Sequence, residues 1–363
     1  MFERLHSSRR RDLRPSLDSL EERALLSAGL PHHVHEVRVS ADVIAAKHDS
    51  NQPRASSPSI TILNTVSSRG YRFTNFDGPN AGNLAGTGTM MNGIANSTTV
   101  AGFTIANDGK TLTNFTANPP ETTKARLVNI NGSTTAMVLG INSTGTVVGT
   151  DGHGNAFSLN RHGVLRTFIP NGGSSAMAFG INDRVNIVGQ FVTSTATPGF
   201  VLVHGGTAFL TINAPSGPNI VNAQGVNNAD TVVGFYVGTD GQDHGFIARK
   251  SAVAKGTLTA VADPTIPAVS GEPGATFVFS QILGINDFGI AVGYYGDSTG
   301  SQHGFIYNTH TGKYTFLDDP NAAFSNGVEV TQITGISNSG EITGFYSDAN
   351  GVFHGFVATT HAA

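Results

Sequence analysis

Residues 284–308 read "GINDFGIAVGYYGDSTGSQHGFIYN", and residues 335–358 read "GISNSGEITGFYSDANGVFHGFVA". One chain writes nearly the same phrase twice, and working outward finds it six times. A Gly-Ile or Gly-Val pair opens a unit at Gly93, Gly140, Gly180, Gly225, Gly284 and Gly335. A second glycine follows nine residues later in every case, at Gly102, Gly149, Gly189, Gly234, Gly293 and Gly344. A phenylalanine closes each unit: Phe115, Phe157, Phe200, Phe246, Phe305 and Phe356. Successive units begin 47, 40, 45, 59 and 51 residues apart, so the inner nine are constant and the length variation falls in connecting loops.

Each unit has a local physical meaning. In Gly-Ile-Asn-x-x-Gly, Asn142 and Gly145, or Asn286 and Gly289, stand three apart. Asn at the first and Gly at the fourth position favours a type I turn. The strand that follows is apolar on one face, at Val100, Val147, Ile187, Val232, Ala291 and Ile342. Its other face, at Ala101, Val148, Val188, Val233, Val292 and Thr343, is mostly apolar too. A strand apolar on both faces is covered on both faces. A polar turn then leads to the strand carrying His-Gly-Phe, and a further strand precedes each unit. Of these, "FTNFDGPNAG" (73–82) and "YTFLDDPNAA" (314–323) match closely, with Asp-x-Pro as a turn initiator.

Four short strands in roughly 40–50 residues make a unit the size of one propeller blade. Blades packed face to face account for the two-sided strands. A glycine recurring inside a strand points to a bulge or a close backbone approach. The expectation is an all-β, six-bladed β-propeller over residues 59–363, with "SITILN" (59–64) as closing strand of the last blade. Seven blades or a β-solenoid are the alternatives. Composition agrees: of 363 residues, 45 are glycine and only 13% are charged, as suits many strands joined by tight turns. A net charge of −4 gives no reason to expect nucleic acid as a partner. The chain has no cysteine, which excludes disulfides, thiol nucleophiles and Cys-ligated metal. No stretch approaches the length of apolar sequence that a transmembrane helix needs.

The units resemble the bacterial extracellular HAF repeat, whose pattern runs Gly-Ile-Asn, Val-Gly-x-Tyr, His-Gly-Phe. The match is strongest in the last three units, where His-Gly-Phe stands at 244–246, 303–305 and 354–356, and weaker in the first and second, the second having Asn155-Ala156-Phe157. The resemblance implies secretion and a propeller-like fold, and implies no reaction. Near the N-terminus, "LEERALLSA" (20–28) resembles the LEPR-XLL motif of large exported bacterial proteins, with Glu22 where Pro is usual. Residues 1–30 are therefore expected to be an export or processing segment. Residues 31–58, mixing His, Pro, Ser and Ala without periodicity, are expected to be a disordered linker.

Chemistry-bearing residues are sparse. His244, His303 and His354 recur at one position, with Thr113, Asn155 and Pro198 in the other units, and are expected to be structural. His32, His33 and His35 alternate near the N-terminus but lack a fixed fourth ligand. Asp151, Asp240, Asp243, Asp297 and Asp348 lie in turns whose oxygens would suit calcium, yet none follows a D-x-D-x-D-G loop. No cofactor is expected. The insertion 261–279 carries Asp263 and Glu272, candidates for ligand contact or for the paired carboxylates of glycoside hydrolysis. The function expected is non-catalytic binding outside the cell, by a monomer, of a carbohydrate, matrix component or protein. A polysaccharide hydrolase or lyase and a purely architectural envelope protein are the alternatives.

Overall fold

The computed structural model describes residues 35–38, 57–96, 98–265 and 274–360. The expected export segment, His32, His33 and Glu272 lie outside these residues. The described chain is all-β, with one short helix, Lys250–Val253, and one 3-10 turn, Val203–Gly205. Each of the six units supplies consecutive antiparallel strands. In the fifth these are Phe277–Ile285, Ile290–Asp297, Gln302–Asn308 and Lys313–Phe316, hydrogen-bonded in chain order. The third and fourth units repeat this order as separate four-stranded sheets. The second gains a fifth strand, His35–Arg38, from the stretch expected to be linker; it pairs with Val164–Phe168.

The innermost strands pack on one another in sequence: Gly88–Ile94, Met137–Ile141, Ser175–Ile181, Val221–Val226, Phe277–Ile285 and Thr331–Ile336. The last packs back on the first, so the ring is closed and the fold is propeller-like. The first glycine of each unit makes the approach. A Cβ built on Gly93, Gly140, Gly180, Gly225 or Gly284 would stand 3.0–3.3 Å from the Cα of the next glycine in that order, and one on Gly335 would stand 3.2 Å from the Ile94 amide nitrogen.

The second glycine serves the sheet itself. It pairs across the strands with the closing phenylalanine, as Gly293 does with Phe305 and Gly344 with Phe356. The rings of Phe157, Phe200, Phe246, Phe305 and Phe356 lie across the glycine, within 3 Å of where a Cβ would be. All six closing phenylalanines are fully buried. An aromatic laid over a strand glycine restores the packing that the missing side chain gives up.

Asparagine joins the sheets. Asn142 Oδ1 accepts the backbone N–H groups of Thr144 and Thr146 in its own turn. Its Nδ2 donates to the carbonyl of Asn182 in the next unit at 3.0 Å. Asn182, Asn227 and Asn286 repeat this, reaching the carbonyls of Asn227, Asn286 and Ser337.

The closing strand corrects the expectation. Phe353–Thr360 pairs antiparallel with Tyr71–Asp77, and Thr61–Ser68 lies outside that strand. The physical reason is burial. Phe73 and Phe76 are fully buried, whereas 61–68 carries only three half-covered side chains, Ile62, Val66 and Ser68, and the rest are exposed. Tyr71–Asp77 takes the place in the last sheet that Lys313–Phe316 takes in the fifth, as their sequence likeness anticipates.

Candidate functional site

Every innermost strand carries a register shift just before its first glycine: between Met91 and Gly93, Val138 and Gly140, Ala178 and Gly180, Ala223 and Gly225, Ile282 and Gly284, Ile333 and Gly335. The skipped residues are Asn92, Leu139, Phe179, Gln224, Leu283 and Thr334. A bulged residue is freed from the ladder and re-aimed. Here all six side chains line one cavity at the start of the innermost strands, together with residues two positions earlier, including Met90, Met137, Met177, Gln281 and Gln332. The cavity volume is about 150 Å³.

Below it, along the strands, the passage narrows at the glycine ring. It then meets an apolar collar of Ile94, Ile141, Ile181, Val226, Ile285 and Ile336, each 7–8% exposed. The far mouth is polar. Side chains there cap their neighbours' backbone: Asp183 Oδ1 accepts from Ser143 N, Asn228 Oδ1 from Asp183 N, Asp287 Oδ1 from Asn228 N, and Asn338 Oδ1 from Asp287 N. Asn228 Nδ2 lies between Asp183 Oδ2 and Asp287 Oδ2, at 3.3 and 3.0 Å. Burial works against ionisation of Asp287, but the hydrogen bonds from Asn338 and Asn228 outweigh it and hold its pKa below the usual value.

The first mouth is two-sided. Units one to three contribute Met90, Phe103, Met137, Leu139, Met177 and Phe179, with Asn92 as the one polar group, its Nδ2 donating to the Val138 carbonyl. Units four to six contribute mostly uncharged polar groups. Gln281 is fixed there, donating from Nε2 to Asp243 Oδ2 at 2.7 Å and accepting from Tyr294 Oη at 2.8 Å. Gln332 donates to Gln302 Oε1 at 2.6 Å. The repeat positions named from the sequence include none of these lining residues. The available signal was variation: the residue before each first glycine differs in nearly every unit while the glycine does not.

The sequence candidates go elsewhere. Asp263 accepts from His244 Nδ1 at 3.0 Å and from Ser280 Oγ at 3.3 Å. It belongs to a recurring clamp in which a histidine sits between two carboxylates. His303 Nδ1 meets Asp318 Oδ2 at 2.9 Å, with Asp297 Oδ2 3.6 Å from Nε2. His354 Nδ1 meets Asp77 Oδ1 at 2.8 Å, with Asp348 Oδ2 3.6 Å from Nε2. His244 Nε2 meets Asp240 at 3.1 Å. In the second unit, Asn155 Nδ2 bonds Asp151 Oδ2 at 2.7 Å in the same place. The turn acids and the histidines, separate in the sequence, are thus partners. Asp243, the remaining turn acid, receives Gln281 instead.

Burial disfavours the cation at all three histidines, yet the facing carboxylates outweigh it and raise each pKa above 6.5. A histidine that binds its proton more tightly when folded contributes stability that is complete below pH 6.5 and is lost as pH rises through the folded value. Burial also raises Asp319, beside the clamp of His303, and its ionisation opposes folding as pH rises from 3.8. Asp240, held low by the Gln242 amide and His244, and Asp348, where backbone bonds from Val352 and Asn350 overcome burial, act the other way and lose their contribution as pH falls. The midpoint of urea unfolding is therefore expected to fall on the alkaline side of 6.5, and less so in His303→Gln. Parallel pH profiles for the two proteins would show that the clamp is not coupled to folding.

These features define an all-β, propeller-like protein with an axial cavity at one mouth. No family model and no curated protein matches the chain. Among solved structures, the chain is similar to the β-propeller domain of the Trilobed protease from Pyrococcus furiosus, at 9% identity and a TM-score of 0.42, covering 84% of this chain and 95% of that one. It is similar to an acylaminoacyl peptidase at 10% identity and a TM-score of 0.39, covering 80% of this chain and spanning about half (49%) of that one. A mutant of AofleA from Arthrobotrys oligospora aligns at 9% identity and a TM-score of 0.38, with 72% and 86% covered.

Proposed function

We propose that this chain is an exported bacterial six-bladed β-propeller that acts as a monomeric, non-catalytic binding module outside the cell. The blade count is supported by the six-membered glycine ring and by the collar of six aliphatic residues at nearly equal exposure. Export is supported by the resemblance of the repeats and of residues 20–28 to exported proteins. One observation carries the binding function. The widened mouth of the passage is lined by methionines, aromatics and amides, and no Asp, Glu, His, Lys or Arg lines it among the described residues. Concave, largely apolar sites with a few convergent polar groups are where proteins take ligands.

A hydrolase is the second reading, since Asp183 and Asp287 flank Asn228 at the opposite mouth. Glycoside hydrolysis needs one of two carboxyls protonated. Asp287 is held ionised, and both carboxylates are engaged by backbone N–H groups of neighbouring units, which suits capping better than acid catalysis.

Thermal unfolding of the full chain tests the function, with calcium, EDTA, capped amino-acid amides and a panel of polysaccharides. A ligand of the native state raises the midpoint as ln(1 + [L]/Kd). A specific rise with an uncharged organic ligand is expected. A rise with calcium alone would return the acidic turns as the site. Release of reducing sugar by the wild type but not by Asp287→Asn would overturn the non-catalytic reading.

A further inference from the structure

Resting on the axial cavity as the binding site, we propose that its ligand is a protein segment. It inserts one apolar side chain of leucine or phenylalanine size and turns its adjacent backbone amide toward the polar half of the mouth. Four observations lead there. The cavity, at about 150 Å³, matches a volume known to accept a benzene ring, and so takes a single side chain. Its lining carries no fixed charge, so it suits neither a chain terminus nor an acidic sugar.

The apolar wall is made of three methionines from consecutive units. Thioether side chains adapt to the shape of another protein's side chains. A sugar ring would instead need the open flat face of an aromatic, and the four aromatics of the lining, Phe103, Phe179, Tyr294 and Phe345, are only 3%, 8%, 7% and 1% exposed. An apolar anchor filling a dry pocket is the usual energetic centre of a protein interface.

The polar half supplies the rest. Gln224, a bulged residue, makes no side-chain hydrogen bond among the described residues. Two positions earlier, Asn222 does not share in the lining, so Gln224 is the unengaged polar group of the mouth. A free primary amide offers both a donor and an acceptor. One peptide unit presents one N–H and one C=O, which is what the Gln224 side chain lacks.

Methyl-labelled methionine NMR on the full chain tests this. Of the five methionines, Met90, Met137 and Met177 line the cavity, while Met91 is fully buried away from it. N-acetyl-L-phenylalanine amide and N-acetyl-L-leucine amide are expected to shift the three lining methyl signals saturably and to leave Met91 in place. N-acetylglucosamine is expected to shift none. Gln224→Ala should weaken the capped amides about tenfold without moving the unfolding midpoint, as loss of one hydrogen-bonding group predicts. Shifts from the sugar and not from the amides would overturn the peptide class while leaving the cavity as a binding site. Silence from all three probes would take down the peptide class and the cavity's binding role together.

Discussion

Gly293→Val is expected to cost more than about 2 kcal/mol of stability, through crowding between packed strands. The position is enclosed on both sides. Gly293 pairs with Ile282 on one neighbouring strand and with Phe305 on the other. Any Cβ there would run into the carbonyl oxygen of Gln281 and would come within 2.9 Å of Phe305 Cζ. Neither can move cheaply. The carbonyl belongs to a strand of the innermost ring held in the sheet on its Gly293 side, and the phenyl ring is fully buried. Urea unfolding measures the loss, and an unchanged midpoint would refute the close packing. A double-mutant cycle sharpens it. Gly293→Ala and Phe305→Leu should combine to less than the sum of their separate costs, because the smaller side chain yields part of the space that the new Cβ needs.

The second large effect concerns the ring's closure. A chain beginning at residue 79 is expected to lose cooperative unfolding altogether, with a chain beginning at residue 57 as the reference. Two strands are removed, Thr61–Ser68 and Tyr71–Asp77, and the second buries Phe73 and Phe76 completely. It pairs with Phe353–Thr360 and holds His354 through Asp77, 277 positions away in the sequence. Losing one buried phenylalanine costs about 3–5 kcal/mol, and two approach the whole stability of an ordinary domain. A synthetic peptide of residues 57–78 added to the shortened chain should restore part of the transition. A shortened chain that melts at the reference temperature would mean that the sheet closes without this strand.

Much of this was legible in the sequence, for a reason that also explains what was not. The paired glycines, the turn asparagines and the buried phenylalanines recur because each answers a constraint that every unit shares. The two-sided apolar strands follow the same rule: Val100–Ile105 is buried at every position. The closing strand was misassigned because 73–82, like 314–323, reads as the strand that precedes a unit, which left 59–64 as the extended stretch available to close the last one. The histidine clamp was hidden because its second carboxylate comes from the end of a neighbouring strand or the segment just after it, and for His354 from the far end of the chain. Asp263 was noticed for its place in a long loop, where its partners His244 and Ser280 could not be foreseen. The cavity was missed because a search for repetition passes over the residues that differ.

That last point bears on how such a protein can change. Asn92, Leu139, Phe179, Gln224, Leu283 and Thr334 project from bulges, outside the paired register. The flanking glycines, not these side chains, set the spacing of the ring. An amide, an aliphatic, an aromatic and a hydroxyl already occupy equivalent places in one molecule. Leu139, Phe179, Gln224 and Leu283 can therefore be rewritten one at a time, whereas Asn92 and Thr334 also donate to the Val138 and Met91 carbonyls of neighbouring units; at the four, new specificity can be acquired without the loss of stability that substitutions in a shared core impose.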